Sequence, residues 1–137
     1  MSSDARLVAR MFDAVSRRVH ASAASRDLPA GQWAILRHLK QHDRYGRTAE
    51  QVAVYFSEPF VIIKRTLTSL ARKRLLVADG AVETSNTRYA LTAAGEERLD
   101  DDPVEHAANA IAQMSASDRA EFCRLLELML AGLAKAD

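Results

Sequence analysis

The most constraining feature of the chain is the order in which its apolar periodicity changes between residues 29 and 91. Pro29 stands where a helix start tolerates proline, and Trp33, Leu36 and Leu39 or Lys40 then repeat at helical spacing. Asp43-Arg44-Tyr45-Gly46 ends that segment. Thr48 opens a third, short helix: Thr48 and Gln51 have capping-box spacing, and Val52 and Phe56 share a face. Ser57-Glu58-Pro59 is a tight break, since Pro59 cannot donate within a preceding helix but can start the next. The spacing predicts a fourth helix from about Pro59 to Lys73, with Phe60, Ile63, Leu67 and Leu70 as its buried stripe. The period then changes. The apolar run Leu75-Leu76-Val77-Ala78, a polar Gly-containing turn from Asp79 to Asn86, and Arg88-Tyr89-Ala90-Leu91 read as a hairpin.

Helical patterns flank this middle on both sides. Residues 4–25 read as a helix whose stripe is Val8, Phe12, Val15 and Val19, with Arg10, Arg17 and Arg18 largely off it. Thr92 can cap a helix from Ala93. The run Asp100-Asp101-Asp102-Pro103 interrupts or bends that helix, and Asp102 is its expected boundary, because a residue before proline avoids the α region. A last helix starts near Ser115, which has capping-box spacing to Asp118 and is followed by the stripe Phe122, Leu125, Leu126, Met129, Leu130 and Leu133. The expectation is one domain over 1–137: a winged helix-turn-helix part at about 30–92, with helical parts at 1–29 and 93–137.

Composition narrows the classes. At 48% hydrophobic and 27% charged residues the chain is not a disordered one, and five Gly with three Pro disfavour a turn-dense all-β fold. A single Cys excludes an internal disulfide, and no CxxC is present. Met1 to Arg10 lacks the apolar run of a signal peptide, and no stretch approaches the roughly 20 apolar residues of a membrane span. The expected setting is reducing and cytoplasmic, with no membrane partner. No Gly-rich phosphate loop, GxSxG or HExxH occurs, so neither an enzyme nor a cofactor is expected.

The near-neutral net charge of +1 conceals a segregation. Residues 30–92 hold ten Lys and Arg against five Asp and Glu, whereas residues 93–137 hold four against ten. Five cations lie in Lys64 to Arg74 with no acid among them, which points to a polyanion partner for the middle of the chain.

Two short helices joined by a tight turn and followed by a hairpin are the parts of a winged helix-turn-helix. In these parts the sequence resembles the MarR family of bacterial transcription regulators. Residues Leu28 to Leu36 (LPAGQWAIL) are similar to the opening of that family's second helix, and Thr48 to Ala53 (TAEQVA) to its first helix-turn-helix element. Lys64 to Lys73 (KRTLTSLARK) resembles the recognition helix, Leu91-Thr92-Ala93-Ala94-Gly95 the Leu-Thr-x-x-Gly after the wing, and Ser115 to Leu133 the last dimerisation helix. The wing departs from the family's Asp-x-Arg pattern: Asp79 to Thr87 holds two acids and no base before Arg88.

The resemblance implies a mostly α fold with a small antiparallel β-hairpin wing, flanked by N- and C-terminal dimerisation helices. It implies a sequence-specific DNA-binding regulator, a ligand-responsive repressor acting as a homodimer on a palindromic operator, with double-stranded DNA, itself and a small-molecule effector as partners. With Ile63, Leu67 and Leu70 inward, a turn of about 100° per residue points Val61, Arg65, Thr68 and Arg72 outward, flanked by Lys64 and Ser69. Arg65 suits bidentate contact to guanine, Val61 a thymine methyl, and Lys64, Lys73, Arg74 and the wing's Arg88 phosphates. Phe12 and the stripe Phe122, Leu125, Leu126, Met129, Leu130 and Leu133 are the expected dimer contacts. The acidic wing and apolar start of the fourth helix also suit a different class, a winged-helix module that binds protein and little DNA.

Other features carry plainer expectations. His38 and His42 have i, i+4 spacing, but no second cluster completes a metal site. Cys123 is expected to pack, Trp33 and Phe12 to be core residues rather than an effector pocket, and the Asp run to be a solvated helix end.

Overall fold

The structure is a computed structural model that describes residues 3–22, 26–42, 47–79 and 87–136. Seven α-helices, three short strands and one 3₁₀ turn follow one another in these residues. They group into two compact units, 1–102 and 103–137.

The first unit is built on α2 (Ala30–His42), α3 (Ala49–Phe56) and α4 (Phe60–Arg72). Trp33, Leu36 and Leu39 of α2, Val52 of α3, and Ile63, Leu67 and Leu70 of α4 are buried together, so the helical stripes read from the sequence form the core. Leu39 takes the inward place and Lys40 is exposed. Phe60 is a correction: it lies in the opening turn of α4 and is 48% exposed, because no described residue of the unit covers that turn.

Capping sets the helix ends. Thr48 Oγ1 accepts from the Gln51 N–H while Gln51 Oε1 accepts from the Thr48 N–H, completing the expected capping box. At the other end of α3 the Ser57 N–H reaches the Val54 carbonyl and the Glu58 N–H the Ala53 carbonyl. This pair closes the helix with Ser57 left-handed at φ 52°. The same closure ends α4, with Arg74 at φ 62° and the Leu75 N–H on the Leu70 carbonyl. Both positions usually hold glycine, and with Ser57 and Arg74 there instead the sequence carries no glycine signal.

β2 (Leu76–Ala78) and β3 (Arg88–Leu91) form the expected hairpin, with Leu76 opposite Leu91 and Ala78 opposite Tyr89. A third strand, β1 (Arg47–Thr48), pairs antiparallel on the other side of β3. Two residues are too few to show an alternation, so no periodicity announces this strand. Tyr89, central in the sheet, is fully buried. The wing tip, 80–86, with its acid Glu83, lies outside the described residues.

After the sheet, Thr92 caps α5 (Ala93–Arg98): its Oγ1 accepts from the Gly95 N–H at 3.0 Å and donates to the Arg74 carbonyl at 2.8 Å. Gly95 is required by proximity, since a Cβ there would overlap the Leu75 carbonyl oxygen and come 3.0 Å from Leu91 Cδ2. A 3₁₀ turn, Leu99–Asp101, follows, and Asp102 has the extended shape (φ −58°, ψ 120°) that a residue before proline adopts. Asp102 is also a correction. It is buried and not solvated, and its carboxylate accepts two 2.7 Å bonds from the Arg37 fork.

α1 (Ser3–Val19) ends before the expected residue 25 and has no buried residue; Leu7, Val8, Met11, Phe12 and Val15 are all exposed. Residues 23–25 lie outside the described residues. The second unit holds α6 (Pro103–Ala112) and α7 (Ala116–Ala136). Ser115 Oγ caps α7 by accepting from the Asp118 N–H. No residue of α7 is buried, and Cys123, expected to pack, is exposed beside Glu127. No helix among the described residues is long and apolar enough to cross a membrane.

The close approach at Gly95 gives a direct test. Gly95→Ala should lower stability by about 1–3 kcal/mol, despite the better helix propensity of alanine, because the added methyl meets a backbone oxygen. Urea unfolding followed by circular dichroism measures it.

Candidate nucleic-acid interface

α4 is held from beneath by α2. The buried Gln32 amide spans the two helices: its Nε2 donates to Ser69 Oγ at 3.1 Å and its Oε1 accepts from Lys73 Nζ at 2.8 Å. Lys64 Nζ lies 5.7 Å from the centre of the Tyr89 ring, which draws that cation toward β3. Lys64, Ser69 and Lys73, read from the sequence as flanking or phosphate-facing residues, therefore also hold α4 in place. Gln32 was not singled out in the sequence, although its polarity in phase with Leu36 and Leu39 was the available sign.

The opposite face is open. Val61, Arg65 and Arg72 are exposed, and neither arginine has an ion-pair or hydrogen-bond partner among the described residues. Thr68 is partly buried and donates its hydroxyl proton to the Lys64 carbonyl at 2.8 Å, leaving its oxygen to accept. The structure thus brings Val61, Arg65, Thr68 and Arg72 onto one side of one helix, as their spacing predicts. Arg74 is exposed at the end of α4, and Arg88 is exposed on β3 opposite Thr48.

An aromatic cluster supports α3 at its far end. His38 is 3% exposed, and its ring lies 4.0 Å from Tyr55, 4.6 Å from His42 and 5.3 Å from Phe56, centre to centre. Neither ring nitrogen has a hydrogen-bond partner among the described residues. Burial first, then the charges of His42 and Arg47, push the His38 imidazole down to about 4. The ring is packing material in its neutral form. Among the described residues no group of three or more His, Cys, Asp or Glu is placed to hold a metal.

Trp33, expected as a core residue, is fully buried with the Arg98 guanidinium 4.9 Å from its ring centre. Arg98 also pairs with Asp27. Phe12 was expected in the core and is exposed instead. Of the expected dimer residues, Phe122, Leu125, Met129, Leu130 and Leu133 are exposed and Leu126 is partly buried.

These elements, in this order, define a winged helix with an exposed basic helix. No protein-family model and no curated protein matches the chain. Solved structures do. Staphylococcus aureus MepR in complex with DNA is 18% identical, with a TM-score of 0.74 over 96% of this chain and 99% of that one. Streptomyces coelicolor PcaV, a transcriptional regulator in complex with its natural ligand, is 19% identical, with a TM-score of 0.70 over 90% and 89%. Staphylococcus aureus MarR in complex with salicylate and kanamycin is 19% identical, with a TM-score of 0.68 over 97% and 94%. At such identities the likeness is one of fold: the chain has the winged-helix fold of these regulators.

The His38 cluster sets a pH dependence. The unfolded chain takes up a proton at residue 38 near the ordinary value of 6.5, and the folded chain only near 4. Stability contributed by the neutral ring is therefore complete above 6.5 and is lost as pH falls from 6.5 toward about 4. His38→Phe should keep the stacking and flatten this fall, while raising stability at pH 7 by about 1 kcal/mol through loss of two unpartnered nitrogens. Urea titrations at pH 7 and pH 5 on both proteins check it.

Proposed function

We propose that the chain is a MarR-type transcription regulator, and that it binds double-stranded DNA sequence-specifically as a homodimer. The observation that carries this reading is the open face of α4. It presents two arginines without a partner among the described residues, and a hydrogen-bond acceptor, on a helix whose other face is locked into the core. A recognition helix enters the major groove with such a face, meeting base edges with its N-terminal part and phosphates at its margins. In this reading Val61, Arg65, Thr68 and Arg72 meet the groove, Lys64 and Ser69 border it, and Arg88 brings the wing's base to the backbone. The work of the protein is binding, not catalysis, in a cytoplasmic setting and without a cofactor.

The homodimer reading is supported by the end helices. α1 and α7 each leave a stripe of large apolar side chains in water, more than a monomer ordinarily exposes. In this proposal Phe12 and the stripe from Phe122 to Leu133 are buried between two chains. Two recognition helices would then read half-sites of a palindrome about one helical turn apart, roughly 34 Å, or a multiple of it. Repression relieved by a small-molecule effector completes the proposal, supported by the ligand complexes of MarR and PcaV. An effector would act by favouring a dimer whose helix spacing no longer fits the groove.

Duplexes selected from a random pool by the full chain test the DNA reading. Against the selected site, Arg65→Ala should weaken binding by about 1–3 kcal/mol with an unchanged circular dichroism spectrum. Unchanged affinity would remove α4 from the interface. For the assembly, Leu130 is 67% exposed in the single chain, so Leu130→Asp should leave the fold intact. It should nevertheless convert a sedimenting dimer to monomer, because a charge buried without a partner costs several kcal/mol.

A further inference from the structure

We propose that this chain reads its half-site through thymine methyl groups, by apolar contact from the first turn of α4, with Val61 as the specificity-determining residue. The inference rests on the reading of α4 as the major-groove helix and deepens it.

Phe60, Val61 and Ile62 are 48%, 63% and 45% exposed, an uncovered apolar tip on an otherwise amphipathic helix. In a helix-turn-helix the N-terminal residues of the recognition helix are those that meet base edges. Here the side chains of those residues carry no donor and no acceptor. The cap residue, Pro59, makes no side-chain bond, and the first turn holds no acid. Such side chains cannot pair with the N7, O6, N6 or N4 groups of the bases. The apolar feature of the major groove that it can cover is the C5 methyl of thymine.

Polar readout begins one turn later, at Arg65, which follows Val61 on the same face, and continues at Thr68 as an acceptor. Charge selects the occupant. From Phe60 to Leu75 there are five cations and no acid, so the apolar tip sits within a field that attracts a polyanion. An apolar protein surface would have to cover those cations without neutralising them, whereas a duplex offers methyl groups in the groove and phosphates at its edges.

The test replaces each thymine of the selected site in turn with deoxyuridine, which removes the methyl group alone, and measures affinity by fluorescence anisotropy. Full burial of one methyl corresponds to about a fourfold change in affinity. At one or more thymines of each half-site, wild type should bind the uridine duplex about fourfold more weakly. Val61→Ala should bind the two duplexes alike at that position, and Arg65→Ala should keep the difference. Val61 is exposed and alanine favours a helix, so circular dichroism should show the variant folded. Specific binding that survives replacement of every thymine overturns the inference and leaves the DNA reading standing. A uridine penalty undiminished in Val61→Ala assigns the methyl to another residue and overturns it too. A chain that holds no duplex at low salt, or whose α4 tip is covered by a protein partner instead, overturns both.

Discussion

Burial of Ile63, Leu67 and Leu70 fixes how α4 is turned about its axis. Each of these side chains is worth about 1.5–3 kcal/mol out of water, and together they leave the helix one low-energy orientation on α2 and α3. Every property of the candidate interface follows from that rotation. It sends Val61, Arg65, Thr68 and Arg72 to the opposite side, and it lets the Gln32 amide reach Ser69 and Lys73. The sheet then leans on the same helix. Thr92 holds the Arg74 carbonyl while Gly95 lies against the Leu75 carbonyl, so the strand that returns from the wing is joined to the end of α4.

The interface is built so that rigid and open groups alternate along one helix. Lys64, Ser69 and Lys73 have structural contacts on the chain itself, whereas Arg65 and Arg72 have none among the described residues. Unpaired arginines on a rigid support carry no internal bond to break before meeting a phosphate or a guanine edge. The apolar tip of α4 belongs to the same logic, since its side chains make no hydrogen bonds that would have to break.

Much of this was legible in the sequence because it rests on local rules. The 3.6-residue stripe of α4, the Thr48–Gln51 capping box, the pre-proline break at Asp102 and the Leu91 to Gly95 closure each follow from residue type at short spacing. What escaped depends on contacts far apart in the chain. Arg37 meets Asp102 across 65 positions, and no short spacing announces that the last residue of an acidic run is the one that is buried. Gln32 meets Lys73 across 41 positions. β1 is too short to carry a pattern. Phe60 has the right phase for the core but lies in a turn that no described residue covers, a matter of where neighbouring elements stop and not of the helix itself. Ser57 and Arg74 hold left-handed positions without glycine, so the two helix ends were legible from the Pro59 break and the change of period, and only their left-handed closure was not.

The central claim is that the basic face of α4 binds the backbone and groove of duplex DNA. Titration of a labelled duplex at several salt concentrations tests it most directly. Each phosphate neutralised contributes a slope of about −0.9 to log K against log salt. With several such contacts from each chain of a dimer, affinity should fall by on the order of a hundredfold or more between about 50 and 200 mM salt. Binding that is absent at low salt, or that is held but unchanged across this range, would contradict the account.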